Sequence, residues 1–187
     1  MVALDSETDA LERGERAPDF ELPAAAGGTV SLDDFADAEA LLVVFTCNHC
    51  PYAKAKIEEL NHIAETYEDV AVVGINPNDA EEYPEDSLER MEALVADGTV
   101  RYDAYLRDEN QSVARAYGAV CTPDPFLFER DGESFRLVYH GRIDDALDPE
   151  AEPTDHEMRD VIDRVLAGED VDEEFRPSRG CSIKWRD

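Results

Sequence analysis

Apolar residues along the chain fall into short blocks separated by turn-forming and acidic residues. The longest block, Ala40-Leu41-Leu42-Val43-Val44-Phe45, is unbroken, which predicts a strand over 40–46 buried on both faces. Val70-Ala71-Val72-Val73-Gly74-Ile75 predicts a second such strand, ended by Asn76-Pro77-Asn78-Asp79. Between them a helix is predicted from about Pro51 to Tyr67, with Ile57, Leu60 and Ile63 on one face. Pro51 suits its start, where a missing N–H costs little.

Upstream, Ala17-Pro18-Asp19-Phe20-Glu21-Leu22-Pro23 and Thr29-Val30-Ser31-Leu32 flank Gly27-Gly28, the signature of a hairpin. Asp33-Asp34-Phe35 reads as a helical turn. Downstream, Pro84-Glu85-Asp86 is expected to open a helix carrying Leu88, Met91, Leu94 and Val95 and stopping at Gly98. Arg101 to Leu106 predicts a third strand. Asp108 or Asn110 then caps a short helix running to Tyr117-Gly118. Phe126-Leu127-Phe128, the turn Arg130-Asp131-Gly132 and Phe135–Tyr139 predict an antiparallel hairpin. A final helix spans roughly 154–167, with Met158, Val161, Ile162 and Val165 inward.

This order implies an α/β fold with one mixed sheet, parallel in its first half and antiparallel at the end. Residues 1–16 read as an N-terminal tail, 17–168 as one domain, and 169–187 as a C-terminal tail. That last tail holds Cys181 and Trp185, the single Trp. A large aromatic is seldom left on a solvated tail, so it is expected to dock on the domain.

Charge narrows the functions. Lys and Arg total 17 against 46 Asp and Glu, a net charge of −29. Such a surface repels phosphates, so nucleic acid is excluded as a partner. Acidity at this level can signal disorder, but 43% hydrophobic residues in clear blocks argue for a folded core. Only three of the cations are Lys, against fourteen Arg. An acidic, Lys-poor globular chain is expected in a salt-rich cytoplasm, where self-repulsion is screened. The first thirty residues lack a signal-peptide pattern, and no run approaches the ~20 apolar residues of a membrane span. A cytoplasmic location and no membrane partner are therefore expected, and there a Cys pair is catalytic or metal-binding more often than a structural staple.

The chemistry concentrates in Cys47-Asn48-His49-Cys50-Pro51, where the first strand meets a helix. Free N–H groups and the dipole of a helix start favour a thiolate. The spacing lets the second sulfur resolve a mixed disulfide formed on the first. Cys47 is expected to be the exposed attacking thiol with a lowered pKa, and Cys50, deeper, the resolving one. His49 adds positive charge when protonated. All three lysines, Lys54, Lys56 and Lys184, lie close in sequence to a cysteine, and Lys54 shares the face of Cys50. Cys121 remains as a small core residue and Cys181 as a third redox thiol or an inert one, or both join Cys47, Cys50 and His49 in a metal site. One Cys-x-x-Cys without a second pair is a weak zinc signal, so neither metal nor cofactor is called for.

Taken together, Ala17-Pro18-Asp19-Phe20, Cys47-Asn48-His49-Cys50-Pro51, Tyr117-Gly118 through Thr122-Pro123, and Gly180-Cys181-Ser182-Ile183-Lys184-Trp185 resemble a peroxiredoxin-like (AhpC/TSA) branch of the thioredoxin-fold proteins. The resemblance implies a thioredoxin fold with an N-terminal β-hairpin extension. It also implies a cis-proline at Pro123, placed beside the cysteine pair, with Thr122-Pro123 presenting backbone groups to an extended substrate. The Cys-x-His-Cys order is similar to that of DsbA-type oxidants. A working peroxiredoxin carries Pro-x-x-x-Thr-x-x-Cys and a distant Arg. With Cys50 in the peroxidatic place, the Thr position is Cys47, the Pro position is Val43, and the Arg position falls near Pro123.

The expected activity is thiol–disulfide exchange through Cys47 and Cys50 on protein or small-molecule disulfides. The alternatives are an antioxidant thiol peroxidase acting on peroxides, and a non-catalytic metal- or partner-binding module.

Overall fold

The computed structural model describes residues 3–6 and 11–187. Its centre is strand β4 (Ala40–Phe45), all six of whose residues are fully buried. Leu41, Val43 and Phe45 face one side of the sheet, and Ala40, Leu42 and Val44 face the other. Both faces are covered, so the run is continuously apolar rather than alternating.

Before β4 come β1 (Ala3–Asp5), β2 (Glu21–Pro23), β3 (Thr29–Ser31) and a 3₁₀ turn at Leu32–Phe35. After it come helices α1 (Pro51–Lys54) and α2 (Ile57–Thr66), strand β5 (Val70–Asn76), a 3₁₀ turn at Pro84–Asp86 and helix α3 (Leu88–Ala96). Next are β6 (Ala104–Arg107), α4 (Ser112–Tyr117), β7 (Cys121–Thr122), β8 (Asp124–Asp131) and β9 (Ser134–His140). Helix α5 (Glu157–Leu166) and β10 (Arg179–Ser182) complete the chain.

The main sheet has the order β6-β5-β4-β8-β9. β4 pairs in parallel with β5, as β5 does with β6, while β8 and β9 run antiparallel. This is the mixed α/β sandwich of the thioredoxin fold, with β2–β3 as the added hairpin. Leu60 and Ile63 of α2 and Met158, Val161 and Ile162 of α5 cover one face. Val113, Ala114 and Tyr117 of α4 and the hairpin residues Phe20 and Leu22 cover the other.

Two helices differ from the sequence reading. The predicted Pro51–Tyr67 helix is broken after Lys54, where Lys56 N–H bonds to Ala53 O at 3.1 Å in a tighter i→i+3 turn. The Lys56 ammonium is anchored there by Asp144 (2.5 Å) and Ala146 O (2.7 Å). Pro84-Glu85-Asp86 does not open α3 either. Ser87 caps that helix, its Oγ accepting from Arg90 N–H, and the three residues before it form their own turn with Asp86 buried.

The segments read as tails meet. β1 pairs with β10, and β10 with β7, in a second, antiparallel sheet of order β1-β10-β7. Past β10, Ile183 joins the core, Trp185 packs against it, and the Arg115 guanidinium lies 4.3 Å from the centre of the Trp185 ring.

Candidate active site

β4 delivers the chain to Thr46-Cys47-Asn48-His49 at the end of the sheet. Cys50, with extended backbone (φ −73°, ψ 127°), then forms the N-terminal boundary of α1, and Pro51 occupies its first turn. Opposite stands the Thr122–Pro123 peptide, which is cis. Cys47 Sγ lies 3.3 Å from Thr122 Oγ1, and Cys50 Sγ lies 3.6 Å from the Thr122 carbonyl oxygen.

Both thiols are buried, Cys47 being 2% and Cys50 0% exposed. The expectation of an exposed Cys47 is thus corrected. Cys47, Cys50, Ala53 and Cys181 form one packed cluster with Tyr52 against it, so β10 roofs the pair.

The charge also sits differently from the sequence expectation. Hydrogen bonding from the Cys47 thiol holds Cys50 down to about 5, against burial, which pushes it up; the Cys181 thiol and the backbone N–H groups of Ala53 and Cys181 assist. The Thr122 carbonyl can accept from Cys50 only when that sulfur is protonated, and four donors outweigh this one long contact. Cys47 is pushed well above the ordinary thiol range by its bond to Cys50, its burial and the Asp86 charge, with Thr122 pulling the other way. Both directions favour the thiolate on Cys50 over Cys47. Cys181 is pushed up to about 12 by burial and by its bond to Cys50, while Lys184 lowers it.

A buried carboxyl organises the other side of the loop. Asp86, 0% exposed, accepts from Asn48 N–H (2.6 Å), Asn76 Nδ2 (3.2 Å) and Asn78 Nδ2 (2.9 Å). Its Oδ2 also meets His49 Nδ1 at 2.5 Å. The His49 ring stacks on Tyr83 with centroids 5.1 Å apart, and its buried Nε2 has no hydrogen-bond partner among the described residues. Tyr105 Oη adds a 2.6 Å bond to Asn48 Oδ1. Asp86, Asn76, Asn78 and Tyr105 were not identified as site residues from the sequence. Asp86 stands among equally acidic neighbours, and nothing local distinguishes it. Asn76 and Asn78 stood out in the sequence as a segment after a core strand that could rim the site, which turn chemistry alone explains as well.

Of the residues expected at the site, the structure brings together Cys47, Cys50, Thr122, Pro123 and Cys181, with His49 attached through Asp86. Lys54 is exposed on α1, outside the hydrogen-bond network of the thiols. Lys56 is committed to Asp144. Lys184 Nζ bonds to Ser182 O (2.7 Å) and lies 5.9 Å from the centre of the Tyr83 ring. Cys121 is buried, with its thiol 3.7 Å from the Pro123 carbonyl oxygen; burial, with the Asp124 charge, raises its pKa well above the ordinary range.

Donor atoms of Cys47, His49 and Asp86 come within 4.8 Å of one another. The four donors already on Asp86 match the roughly four lone-pair directions of a carboxylate. This trio is thus built to orient His49 and fits a metal ion poorly.

Among the described residues, no helix is long and apolar enough to cross a membrane. No curated protein matches the sequence. Two solved structures resemble the chain along its full length. One is an uncharacterized conserved protein from Geobacillus kaustophilus, with 42% identity, TM-score 0.90, and coverage of 100% of this chain and 97% of that one. The other is a hypothetical protein from Sinorhizobium meliloti, with 45% identity, TM-score 0.88, and coverage of 97% and 98%. At 20% identity and TM-score 0.55, the thioredoxin domain of a thiol-disulfide oxidoreductase from Bacteroides vulgatus shares the fold, over 71% of this chain and 91% of its own. The AhpC/TSA family profile matches residues 13–133, the stretch that holds the cysteine pair and the cis-proline. The chain belongs to the AhpC/TSA family of thioredoxin-fold redox proteins.

Proposed function

We propose that this protein is a thiol–disulfide oxidoreductase cycling between the Cys47/Cys50 dithiol and its intramotif disulfide. The observation that carries the reading is the packing of Cys47 and Cys50 together against the cis Thr122–Pro123 segment, with Cys50 held low and Cys47 held high. A thiol at about 5 is almost wholly ionised at about pH 7, against a few per cent for an ordinary one. Cys50 attacks one sulfur of an incoming disulfide, R–S–S–R; the S–S bond breaks and one thiolate leaves. Cys47 then attacks Cys50, releasing the second thiol as the Cys47–Cys50 bond closes. Sequence reasoning gave these two roles in the opposite order.

His49, fixed by Asp86 and stacked on Tyr83, positions the loop between the two sulfurs. Substrates are protein or small-molecule disulfides. We place the protein in a salt-rich cytoplasm, a reading supported by its three lysines among 46 acidic residues. Reduction of insulin by dithiothreitol, followed by turbidity, tests the activity. Catalysis by wild type that is lost in Cys50→Ser supports it, and a rate equal to the uncatalysed one overturns it.

One observation favours a second reading, an antioxidant thiol peroxidase. Cys50 precedes Pro51 at the start of α1, the place of a peroxidatic thiolate in the family the chain belongs to. Against it, the groups that lower the Cys50 pKa are thiols and backbone N–H groups, with no Arg or Lys among them to polarise a peroxide. Peroxide consumption supported by an exogenous thiol, without insulin reduction, would replace the first reading by this one.

A further inference from the structure

Two further thiols pack with Cys50 in its buried cluster. One is Cys47, on the same loop. The other is Cys181, 131 positions after Cys50 in the chain. Cys181 lies outside the family match and is carried on β10, which pairs with the short strand β7 directly before the cis-proline, with Cys181 opposite Thr122 and Ser182 opposite Cys121. An exposed strand edge invites an extended segment, whose alternate side chains are then presented to the site. Here the chain's own C-terminal segment occupies that edge, and a cysteine falls at the position facing the reactive sulfur.

The placement is strongly enforced. A Cβ on Gly180 would come 1.9 Å from the Thr122 carbonyl oxygen, so only glycine permits this approach. Ser178 Oγ donates to Pro123 O at 2.7 Å. On the other side of Cys181, Lys184 N–H donates to Asn78 Oδ1 (2.9 Å), and Asp79 N–H and Gln111 Nε2 donate to Lys184 O (2.9 and 2.8 Å). Asn78 in turn holds Asp86, so the tail and the Cys47 loop share one network.

We infer that Cys181 is a third redox thiol, an internal partner with which Cys50 forms a disulfide as an alternative to Cys47, delivered by a strand lying where an extended substrate would pair. The inference rests on the redox-pair reading above. After Cys50 has attacked a low-molecular-weight disulfide R–S–S–R, Cys50 carries –S–R and one thiolate has left. The Cys181 thiol gives its proton to that thiolate and attacks the Cys50 sulfur. The Cys50–SR bond breaks, the Cys50–Cys181 bond forms, and the second RSH departs on protonation from solvent. Two electrons pass from the two protein thiols to R–S–S–R. No large motion is required, because Cys50 and Cys181 already pack in one buried cluster.

The test is disulfide mapping. Reduced wild type, Cys47→Ser and Cys181→Ser are treated with one equivalent of glutathione disulfide and quenched with acid. Free thiols are then alkylated and the peptides read by mass spectrometry. Cys47→Ser is expected to yield the Cys50–Cys181 disulfide, and Cys181→Ser the Cys47–Cys50 disulfide. If glutathione stays on Cys50 in Cys47→Ser while Cys181 is alkylated, Cys181 is no partner, and the Cys47–Cys50 reading survives intact. If Cys181→Ser forms no Cys47–Cys50 link, the redox-pair reading fails and this inference falls with it. Should a variant not fold, oxidised wild type decides: part of the population must protect Cys181 from alkylation, and complete alkylation of Cys181 overturns the inference.

Discussion

The two sheets of this protein are built by opposite means. In the five-stranded sheet, β4 is apolar and fully buried on both faces, and its residues carry none of the chemistry. In the three-stranded sheet, β1 is exposed throughout, β7 is two residues long, and β10 holds a glycine and a cysteine at its centre. Backbone pairing and a few side-chain anchors hold this second sheet, and Cys181 on it packs over the Cys47/Cys50 pair. Each fully buried Leu, Val or Phe of β4 contributes about 1.5–3 kcal/mol, whereas a typical hydrogen bond nets about 0.5–1.5 kcal/mol. Stability is thus lodged in the five-stranded sheet and cover of the cysteine pair in the other, and perturbing each should move one property and spare the other.

The largest effect is expected from Cys50→Ser. Insulin reduction should fall to the uncatalysed rate while the urea unfolding midpoint stays near that of wild type. Loss of the fold instead would mean that the sulfur cluster is structural.

Next comes Leu42→Ala in β4, which empties a fully buried site. Urea unfolding should show a loss of about 2–5 kcal/mol, with Cys50 alkylation in the folded protein unchanged. A change in thiol reactivity without a stability loss would break the separation.

Gly180→Ala addresses the second sheet. The added Cβ meets the Thr122 carbonyl, so β10 must lift from β7. Cys50 should alkylate roughly tenfold faster, the effect of ~1.4 kcal/mol on a local opening, with little change in global stability. An unchanged alkylation rate would show that β10 does not shield the sulfur.

These contrasts also explain what could be read from the chain. The β4 run and the position of the Cys pair after it follow from local patterning, because a strand covered on both faces must be apolar throughout. Pro123 was legible through the family resemblance, which Tyr117-Gly118 and Thr122-Pro123 helped to carry. The pairing of β1 with β10 was not, since it joins Leu4 to Gly180 and leaves no periodic trace in either segment. Asp86 was hidden because one buried carboxyl among 46 acidic residues looks like the rest until the fold brings Asn48, Asn76 and Asn78 onto it. The order of the two thiols proposed above departs from the sequence reading for a related reason: a helix start alone points to Cys47, while the Cys181 contact lowers Cys50 and the Asp86 charge raises Cys47, and both are long-range.

Salt acts on both sheets together and should have the smallest effect per site. At −29 the folded chain repels itself, and the Debye length falls from about 10 Å at ~0.1 M to about 3 Å at ~1 M. The thermal midpoint should rise over that range of KCl. A flat response would remove the argument for a salt-rich cytoplasm.

The most direct test of the central claim is a thiolate titration on reduced wild type, with the alkylated residue identified by mass spectrometry at each pH. Thiolate absorbance near ~240 nm and iodoacetamide reactivity should rise together with a midpoint of about 5 and plateau before about pH 7, with the label on Cys50. Below that midpoint Cys50 is protonated and reactivity should be lost; Cys47 and Cys181, both raised, should remain unlabelled across this window. A single fast thiol at Cys47, or a midpoint near the ~8.5 of a free cysteine, would contradict the account.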